Sequence, residues 1–337
     1  MKPTIRDVAN RAGVSVATVS RYLNNSSLIA PVSRDKVRTA IDALNYRPNM
    51  MARGLVKQNT ETIALVVDYS HEEIYGNEFF LKIQVGLERE FSRHGYYLML
   101  VNIASAGEAP GLIKKIILEG RVDGIVLLNE MAEPSVIHLL NEMEVPFVIA
   151  GRGEYKNAAW VDIDNVLGGY VAANKLIGCG LEKIGFITNS FQKRFVKERF
   201  EGFQKAMMEA GLEYAETWVA AGLNTYQDQI KFLKKCEKPV CDAYVVSDSY
   251  IAYHFIKALK NSGYSVPKDV QIVAFDNQLL SEVSEPGITV VDIDVTMLGV
   301  HAARFLLDNL YRLDKNYEPQ ARHELLGVRL IERGSTL

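Results

Sequence analysis

Four side chains near the start of the chain have the types and the spacing of a surface that reads base edges. They lie at positions i, i+1, i+4 and i+5 and so share one face of a helix: Val16, Ala17, Ser20 and Arg21. The guanidinium of Arg21 can pair with guanine or phosphate, and the Ser20 hydroxyl can bond to either. The small apolar side chains can contact thymine methyl groups. The pattern predicts a short helix that fits the major groove of DNA.

A second set of polar side chains follows apolar runs that are typical of buried strands. Its members are Asp68, Ser247, Asp248 and Asp276. Parallel sheets bind ligands at the carboxyl ends of their strands, in the crevice between neighbouring units. Arg199, on a charged helical stretch, can add a rigid fork of donors. We therefore expect a polar ligand site in this crevice.

The first set needs a small helical scaffold. Apolar residues at positions 5, 8, 9 and 12 share one helical face and predict a first helix. The Thr4 hydroxyl, with Asp7 three positions later, can cap its start, and Gly13 is expected to end it.

The second and third helices follow directly. Ser15 can cap a helix of about residues 15–23, and a helix of about residues 32–45 closes the core. Pro31 suits the first position of the third helix, although Ala30 before it has no capping oxygen. Two short helices joined by a glycine-containing turn predict a helix-turn-helix.

The remaining chain alternates apolar runs with helical stretches. Helices are expected at about 79–94 and 112–120, and the predicted strands cover residues 63–67, 96–102, 124–128, 147–150, 183–187, 243–246 and 271–275. Repeated strand–helix–strand units form parallel sheets with helices on both faces. The fold class is therefore an all-α helix-turn-helix head plus an α/β body of two doubly wound parallel-sheet subdomains.

Charge divides the chain in the same way. The 337 residues carry a formal charge of −3. Residues 1–60 hold ten basic and three acidic side chains, so this part carries +7 and the rest carries −10. A basic head on an acidic body is the pattern expected when one end meets phosphate, although a solvated basic face is the alternative.

Several classes of protein are disfavoured. There is no apolar run of about 18 residues or more and no export signal, which excludes membrane spans and disfavours secretion. The three cysteines, Cys179, Cys236 and Cys241, form no disulfide framework or zinc pattern, so a cytoplasmic localisation is expected. No nucleophile elbow or phosphate loop occurs, and no two histidines lie four residues apart. We expect neither an enzyme nor a cofactor nor a metal site.

The head resembles a known family at more than twenty positions of fixed spacing. Residues 4–9, 12–21, 44–49 and 52–55 are similar to the lactose/galactose-repressor family of bacterial transcriptional regulators, and the Val16–Ala17 pair is most like galactose repressors. The resemblance implies a homodimer on a palindromic operator in double-stranded DNA. The implied DNA-binding residues are Thr4, Ser15, Val16, Ala17, Thr18, Ser20, Arg21, Asn24, Tyr46, Asn49, Ala52 and Leu55.

Residues 49–60 would be a hinge. This segment is shorter than the ~12–15 residues that make an isolated helix even marginal. The resemblance implies that it becomes helical on DNA, paired with its twin. Leu55 would then wedge into the minor groove, and Ala52 would let the two hinge helices approach. A plain linker is the alternative.

The body resembles periplasmic sugar-binding proteins more loosely. The matching segments are 164–169, 199–203 and 273–277. The resemblance implies two subdomains joined by three crossing strands, with Arg199 and Asp276 holding hydroxyl groups of a small effector. The effector-binding candidates are Asp68, Phe80, Arg199, Ser247 and Asp276. Phe80 or Tyr226 could stack on a sugar, or either could be a core side chain.

These expectations combine into a domain plan. The DNA-binding domain spans residues 1–48, the hinge 49–60, and the effector-binding and dimerisation domain 61–337. Within the last, one subdomain comprises about 61–162 and 293–320, and the other about 163–292 and 321–337. Because no leucine-heptad tail follows residues 332–336, dimers are favoured over tetramers.

The function expected is that of a repressor of carbohydrate-use genes that a small sugar releases from its operator. One alternative is a regulator that needs a purine-like corepressor. Another is a solute-binding protein with no role on DNA, which would have no use for the basic head. An enzyme on a doubly wound sheet would need a catalytic constellation that the sequence does not offer.

Overall fold

The computed structural model of the protein describes residues 3–23, 26, 28–47, 59–68, 78–103, 106–153, 155, 157–235, 241–314 and 321–337. The chain divides into two compact units. One unit comprises Met1–Thr62 with Lys115–Asp123, and the other Ile63–Lys114 with Gly124–Leu337.

The N-terminal residues form the expected helix-turn-helix. Helices α1 (Ile5–Ala12), α2 (Val16–Leu23) and α3 (Pro31–Leu44) follow one another. Their small core consists of Val8, Ala9, Ala12, Val19, Val37, Ala40 and Tyr46. Each valine buried in such a core contributes about 1.5–3 kcal/mol.

Local capping defines where these helices begin and end. The Asp7 N–H donates to the Thr4 hydroxyl while the Asp7 carboxylate accepts the Thr4 N–H at 2.7 Å, so both halves of the expected capping box are present. Gly13 ends α1 in the left-handed conformation (φ 63°). Ala30 provides no side-chain cap, and α3 begins with Pro31, which has no N–H to satisfy.

The body contains twelve strands among the residues described. They are β1 (Thr62–Val67), β2 (Tyr97–Asn102), β3 (Gly124–Leu128), β4 (Phe147–Ala150), β5 (Ala159–Ile163), β6 (Ile184–Ile187), β7 (Val219–Ala220), β8 (Ala243–Val246), β9 (Gln271–Phe275), β10 (Thr289–Asp292), β11 (His323–Leu326) and β12 (Arg329–Ile331). They form two six-stranded sheets. Sheet 1 has the order β11-β5-β4-β3-β1-β2, and sheet 2 has the order β12-β10-β9-β8-β6-β7.

Helices accompany each sheet. They are α4 (Glu78–Arg93), α5 (Ala109–Leu118), α6 (Pro134–Glu142), α7 (Asn165–Gly178), α8 (Arg194–Glu209), α9 (Tyr226–Lys235), α10 (Ser249–Asn261), α11 (Leu279–Val283) and α12 (Val295–Asp314). The parallel pairing of β1 with β3 sets Ile63 against Gly124, and that of β8 with β9 sets Ala243 against Gln271. No described helix is both long and apolar enough to cross a membrane.

The chain passes between the sheets three times. The domain plan predicted from the sequence places residues 321–337 in the second subdomain. However, β11 pairs in parallel with β5 in sheet 1, with His323 opposite Trp160. Strand β12 pairs antiparallel with β10 in sheet 2. The boundary near residue 320 is therefore too early, and the last crossing lies between Leu326 and Arg329.

Candidate functional site

The predicted base-reading side chains lie on the outer face of α2. Val16 is 42% exposed, and Ala17 and Arg21 are also exposed, whereas Val19 is fully buried. Ser20 is half-buried. Among the described residues of the head, these four side chains take no part in the capping bonds or the buried core, so they are available for a partner.

Other predicted DNA-binding residues have structural contacts of their own. The Ser15 and Thr18 hydroxyls lie 3.0 Å apart, and the Thr18 N–H donates to Ser15 Oγ at 3.2 Å, which caps α2. Tyr46 is a core side chain of the head, only 8% exposed. Asn24, Asn49, Ala52 and Leu55 lie outside the described residues.

The centre of the second predicted site is the guanidinium of Arg199, which is 3% exposed. Its Nε donates to Asn165 Oδ1 at 3.0 Å, and its Nη1 donates to the Ser247 carbonyl at 2.6 Å. Its Nη2 lies 3.7 Å from the Asp276 carboxylate. Burial lowers the pKa of Arg199, which the carboxylates of Asp276 and its neighbours oppose. The guanidinium is therefore held in one orientation.

Aromatic rings fix the plane of this group. The guanidinium carbon of Arg199 lies 4.1 Å from the ring centre of Phe275 and 4.9 Å from that of Phe195. A guanidinium whose faces contact aromatic rings makes its hydrogen bonds in its own plane, here to Asn165 and Ser247. The N–H groups that these bonds do not use can donate to a ligand with paired acceptors.

Two glycines allow Arg199 to reach this position. Helices α7 and α8 approach until a side chain at Gly169 would collide with the Arg199 carbonyl, and one at Gly202 with the Val166 carbonyl. Only residues without Cβ permit this backbone contact. The close approach brings Arg199 beside Asn165, at the start of α7.

Asp276 is held in an unusual backbone conformation. It follows β9 directly and has a φ of +70°, in the left-handed region that costs a non-glycine residue energy. Burial raises the pKa of its carboxyl, and the nearby Arg199 and Lys82 cations oppose that rise. Such strain at a half-buried acid beside a buried arginine is typical of a functional site.

Ser247 and Asp248 lie at the end of β8, as expected. Ser247 is buried, and within the described part of the chain its hydroxyl oxygen has no hydrogen-bond partner. Asp248 caps α10 by accepting the Ile251 N–H at 2.8 Å, and burial raises the pKa of its carboxyl to about 6. Ser247 thus contacts Arg199 through its backbone carbonyl and keeps its hydroxyl buried, while the Asp248 carboxylate is engaged as a helix cap.

The other aromatic and acidic candidates lie directly after β1 and on α4 and α9. Asp68 follows β1, and Phe80 lies in the first turn of α4, where it packs edge-on against Phe79 with ring centres 5.7 Å apart. Tyr226 packs against the core of the second subdomain and bonds to Asn261. Phe80 also packs against a core of buried hydrophobic residues, so for both rings the structure shows the core alternative.

The sequence did not reveal one contact that joins the two subdomains here. Glu198 Oε1 lies 3.3 Å from Arg152 Nη1, which follows sheet-1 strand β4, and 2.9 Å from Arg194 Nε on its own helix. We call the region between the two sheets around Arg199 the cleft. Two neighbouring residues of α8 thus pair differently: Glu198 contacts Arg152 of the first subdomain, whereas Arg199 lies beside Asp276 of the second.

Comparisons with known proteins agree for the head and the body. Residues 4–49 match bacterial regulatory proteins of the lacI family, and residues 173–336 match a periplasmic binding protein-like domain. The HTH-type transcriptional regulator CelR of Thermobifida fusca is 32% identical over 92% of each chain. An HTH-type transcriptional repressor PurR of Haemophilus influenzae (strain PittEE) is 31% identical over 98% of each chain.

Solved structures give the same picture. A complex of transcriptional regulator CelR with cellobiose is similar with a TM-score of 0.72 and 30% identity, and covers 99% of each chain. The lac repressor dimer bound to operator and the anti-inducer ONPF shares the fold with a TM-score of 0.83 at 20% identity, over the whole of both chains. The relatives named here do not single out galactose repressors, so that likeness of α2 stays a prediction.

Proposed function

Because the chain belongs to the lacI family of bacterial regulatory proteins, which are ligand-responsive DNA-binding transcription regulators, we propose that it represses carbohydrate-use genes and is released from its operator by a small sugar. The observation that carries this proposal is the oriented guanidinium of Arg199 beside the Asp276 carboxylate. Adjacent hydroxyls of a sugar can accept from the arginine fork while they donate to the carboxylate.

The DNA half of the proposal rests on the exposed face of α2. Arg21 and Ser20 would bond to base edges or phosphates, and Val16 and Ala17 would contact thymine methyl groups. A symmetric dimer would read two half-sites. Leu55 and Ala52 keep their proposed hinge roles, and Tyr46 would act chiefly by supporting the head from within its core.

The proposal also concerns which class of sugar the protein binds. The relative CelR is described in complex with cellobiose, which makes glucose-containing disaccharides the first probes. Effector binding would change the relative position of the subdomains and so weaken the DNA-bound dimer. We also propose that the protein acts in the cytoplasm, where the operator is, and carries out no catalysis of its own.

A purine-responsive corepressor mechanism is the second candidate, because several relatives at 30–33% identity are named PurR. Buried carboxylates and a guanidinium can also bind the polar edge of a purine. The two candidates differ in the sign of the response: a corepressor tightens operator binding, whereas an inducer weakens it.

A paired screen tests the proposal. The melting temperature is measured with cellobiose, other mono- and disaccharides, hypoxanthine and guanine, and operator affinity is measured with each compound that stabilises. We expect a sugar to raise the melting temperature by mass action and to weaken operator binding. A response to purines alone, with tighter DNA binding, would replace the proposal by the second candidate.

A further inference from the structure

The first turn of α4 contacts the second subdomain directly. Glu78 Oε1 accepts the backbone N–H of Leu279 at 2.9 Å. Lys82 Nζ donates to the backbone carbonyl of Asn277 at 2.7 Å. The two side chains also pair with each other, with Lys82 Nζ 2.9 Å from Glu78 Oε2. An acid and a base one helical turn apart thus hold two backbone groups that lie about 200 residues further along the chain.

The backbone they hold continues directly from Asp276. Asp276 has a φ of +70°, and the following residues lead into the short helix α11. Gln278 supplies no side-chain cap to that helix, so the Glu78 carboxylate provides an acceptor from another subdomain. The Asn277 side chain is bound separately by Arg333 at 2.7 Å. Residues 276–279 are therefore fixed from both subdomains.

The charges suit this arrangement. Burial alone would raise the pKa of the Glu78 carboxyl, but the Leu279 N–H and the Lys82 ammonium bring it below its ordinary value. Lys82 also lies close enough to Asp276 to favour its ionised form. The Glu78 and Lys82 side chains are each about one third exposed, so water can reach both of them.

We propose that Glu78 and Lys82 form a latch across the cleft that ties α4 to residues 276–279 and holds Asp276 in its left-handed conformation. The consequence for ligand affinity rests on the proposed function, in which Asp276 binds the effector. The latch itself does not, since its bonds join protein groups only. Opening the cleft requires both backbone bonds to break, and closing it re-forms them.

A charge swap separates the latch from an ordinary helical ion pair. In the double variant Glu78→Lys/Lys82→Glu the i,i+4 pair remains possible, but lysine cannot accept from the Leu279 N–H and glutamate cannot donate to the Asn277 carbonyl. Lys82→Arg retains a donor. Arg89→Met, at an exposed position of the same helix, is the matched control.

Amide hydrogen exchange of the ligand-free full-length protein is the measurement, followed on a peptide that covers residues 276–283. We expect exchange several-fold faster in the swap, near wild type in Lys82→Arg, and unchanged in Arg89→Met. Equal protection in the swap and the wild type would overturn the latch. A rise in Arg89→Met as large as in the swap would also overturn it, because the effect would then belong to the helix.

Calorimetry with cellobiose tests the consequence for binding. We expect the swap to weaken cellobiose affinity about tenfold, a change of about 1.4 kcal/mol, while Arg89→Met leaves it unchanged. If amide hydrogens of residues 276–283 exchange faster in the double variant but its cellobiose affinity equals that of the wild type, the latch does not position Asp276. If the wild type binds no cellobiose, that sugar is excluded as the effector, while the exchange comparison still decides the latch.

Discussion

At the scale of single residues, the contacts of the buried Arg199 guanidinium both stabilise its charge and orient it for ligand binding. A lone guanidinium is expensive to bury, and here the Asn165 amide oxygen, the Ser247 carbonyl, the Asp276 carboxylate and two aromatic rings compensate it. These groups constrain its orientation so fully that little conformational freedom remains to be lost on ligand binding. Lysine could supply the charge but neither the planar fork nor the stacking.

The variant Arg199→Lys tests that distinction. We expect sugar affinity to fall on the order of 10–100-fold, because one oriented hydrogen bond to a charged group, worth roughly 1.5–3 kcal/mol, is lost. Calorimetry with the sugar found in the stabilisation screen measures the change. Arg194→Lys is the control, since Arg194 lies on the same helix and pairs with Glu198. Unchanged affinity in Arg199→Lys would place the effector site elsewhere.

At the scale of elements, the position of Arg199 depends on how closely α7 and α8 pack. The contact is made by backbone at Gly169 and Gly202 rather than by interlocking side chains. Helix α8 therefore cannot shift without moving its arginine relative to the end of β9. The packing of α7 against α8 therefore determines the geometry of the ligand site.

Gly202→Ala should damage both together. Its methyl group would collide with the Val166 carbonyl, so we expect a loss of about 1–3 kcal/mol of stability from overpacking, together with weaker sugar binding. Gly178→Ala is the matched control at the last residue of α7, where an added Cβ meets open space. There the free energy of unfolding should stay the same or rise by up to about 1 kcal/mol. Chemical denaturation of both variants would contradict the argument if they lost equal stability.

The helices and strands also show how much of the fold can be predicted from the sequence. The three head helices and the strands β1, β2, β3, β4, β6, β8 and β9 were predictable, because each has a clear helical period or an apolar run. The sequence did not predict β5, β7, β10, β11 and β12, of which β7, β11 and β12 have only two to four residues. β11 and β12 are also half exposed, so neither period nor composition marks them.

Contacts between distant residues were out of reach for a different reason. Arg199 and Asp276 could be paired because a family pattern links them. Glu78 and Lys82 appear in sequence as an ordinary charged helical turn, since the backbone groups they hold carry no sequence signal. Tyr46 illustrates the reverse case, because proximity to a DNA-binding motif in sequence did not reveal that its ring belongs to the core.

At the scale of the whole molecule, the division of charge separates two kinds of binding. Residues 1–60 carry +7 and the rest carries −10, so the formal −3 describes neither part. The acidic body should repel a duplex, which confines DNA contact to the head. The cleft, by contrast, contains carboxylates and guanidinium groups in mutual contact, which leaves a neutral hydroxylated ligand as the best match.

The two kinds of binding should therefore respond differently to salt. A head that neutralises several phosphates releases counterions, so operator affinity should fall by roughly 10³–10⁵ between 50 and 200 mM salt if about 6–10 phosphates are contacted. Affinity for a neutral sugar should change less than about twofold over the same range, because no counterion is released and the cleft charges are internally paired. Operator binding by fluorescence anisotropy and sugar binding by calorimetry, in matched buffers, measure both.

The variant Arg21→Gln shows what Arg21 contacts. If Arg21 contacts phosphate, the slope of log operator affinity against log salt concentration should fall by about one. If Arg21 contacts guanine, the slope should stay nearly the same and the preference for the operator sequence should weaken. A flat operator response in the wild type would remove the basic head from the DNA interface.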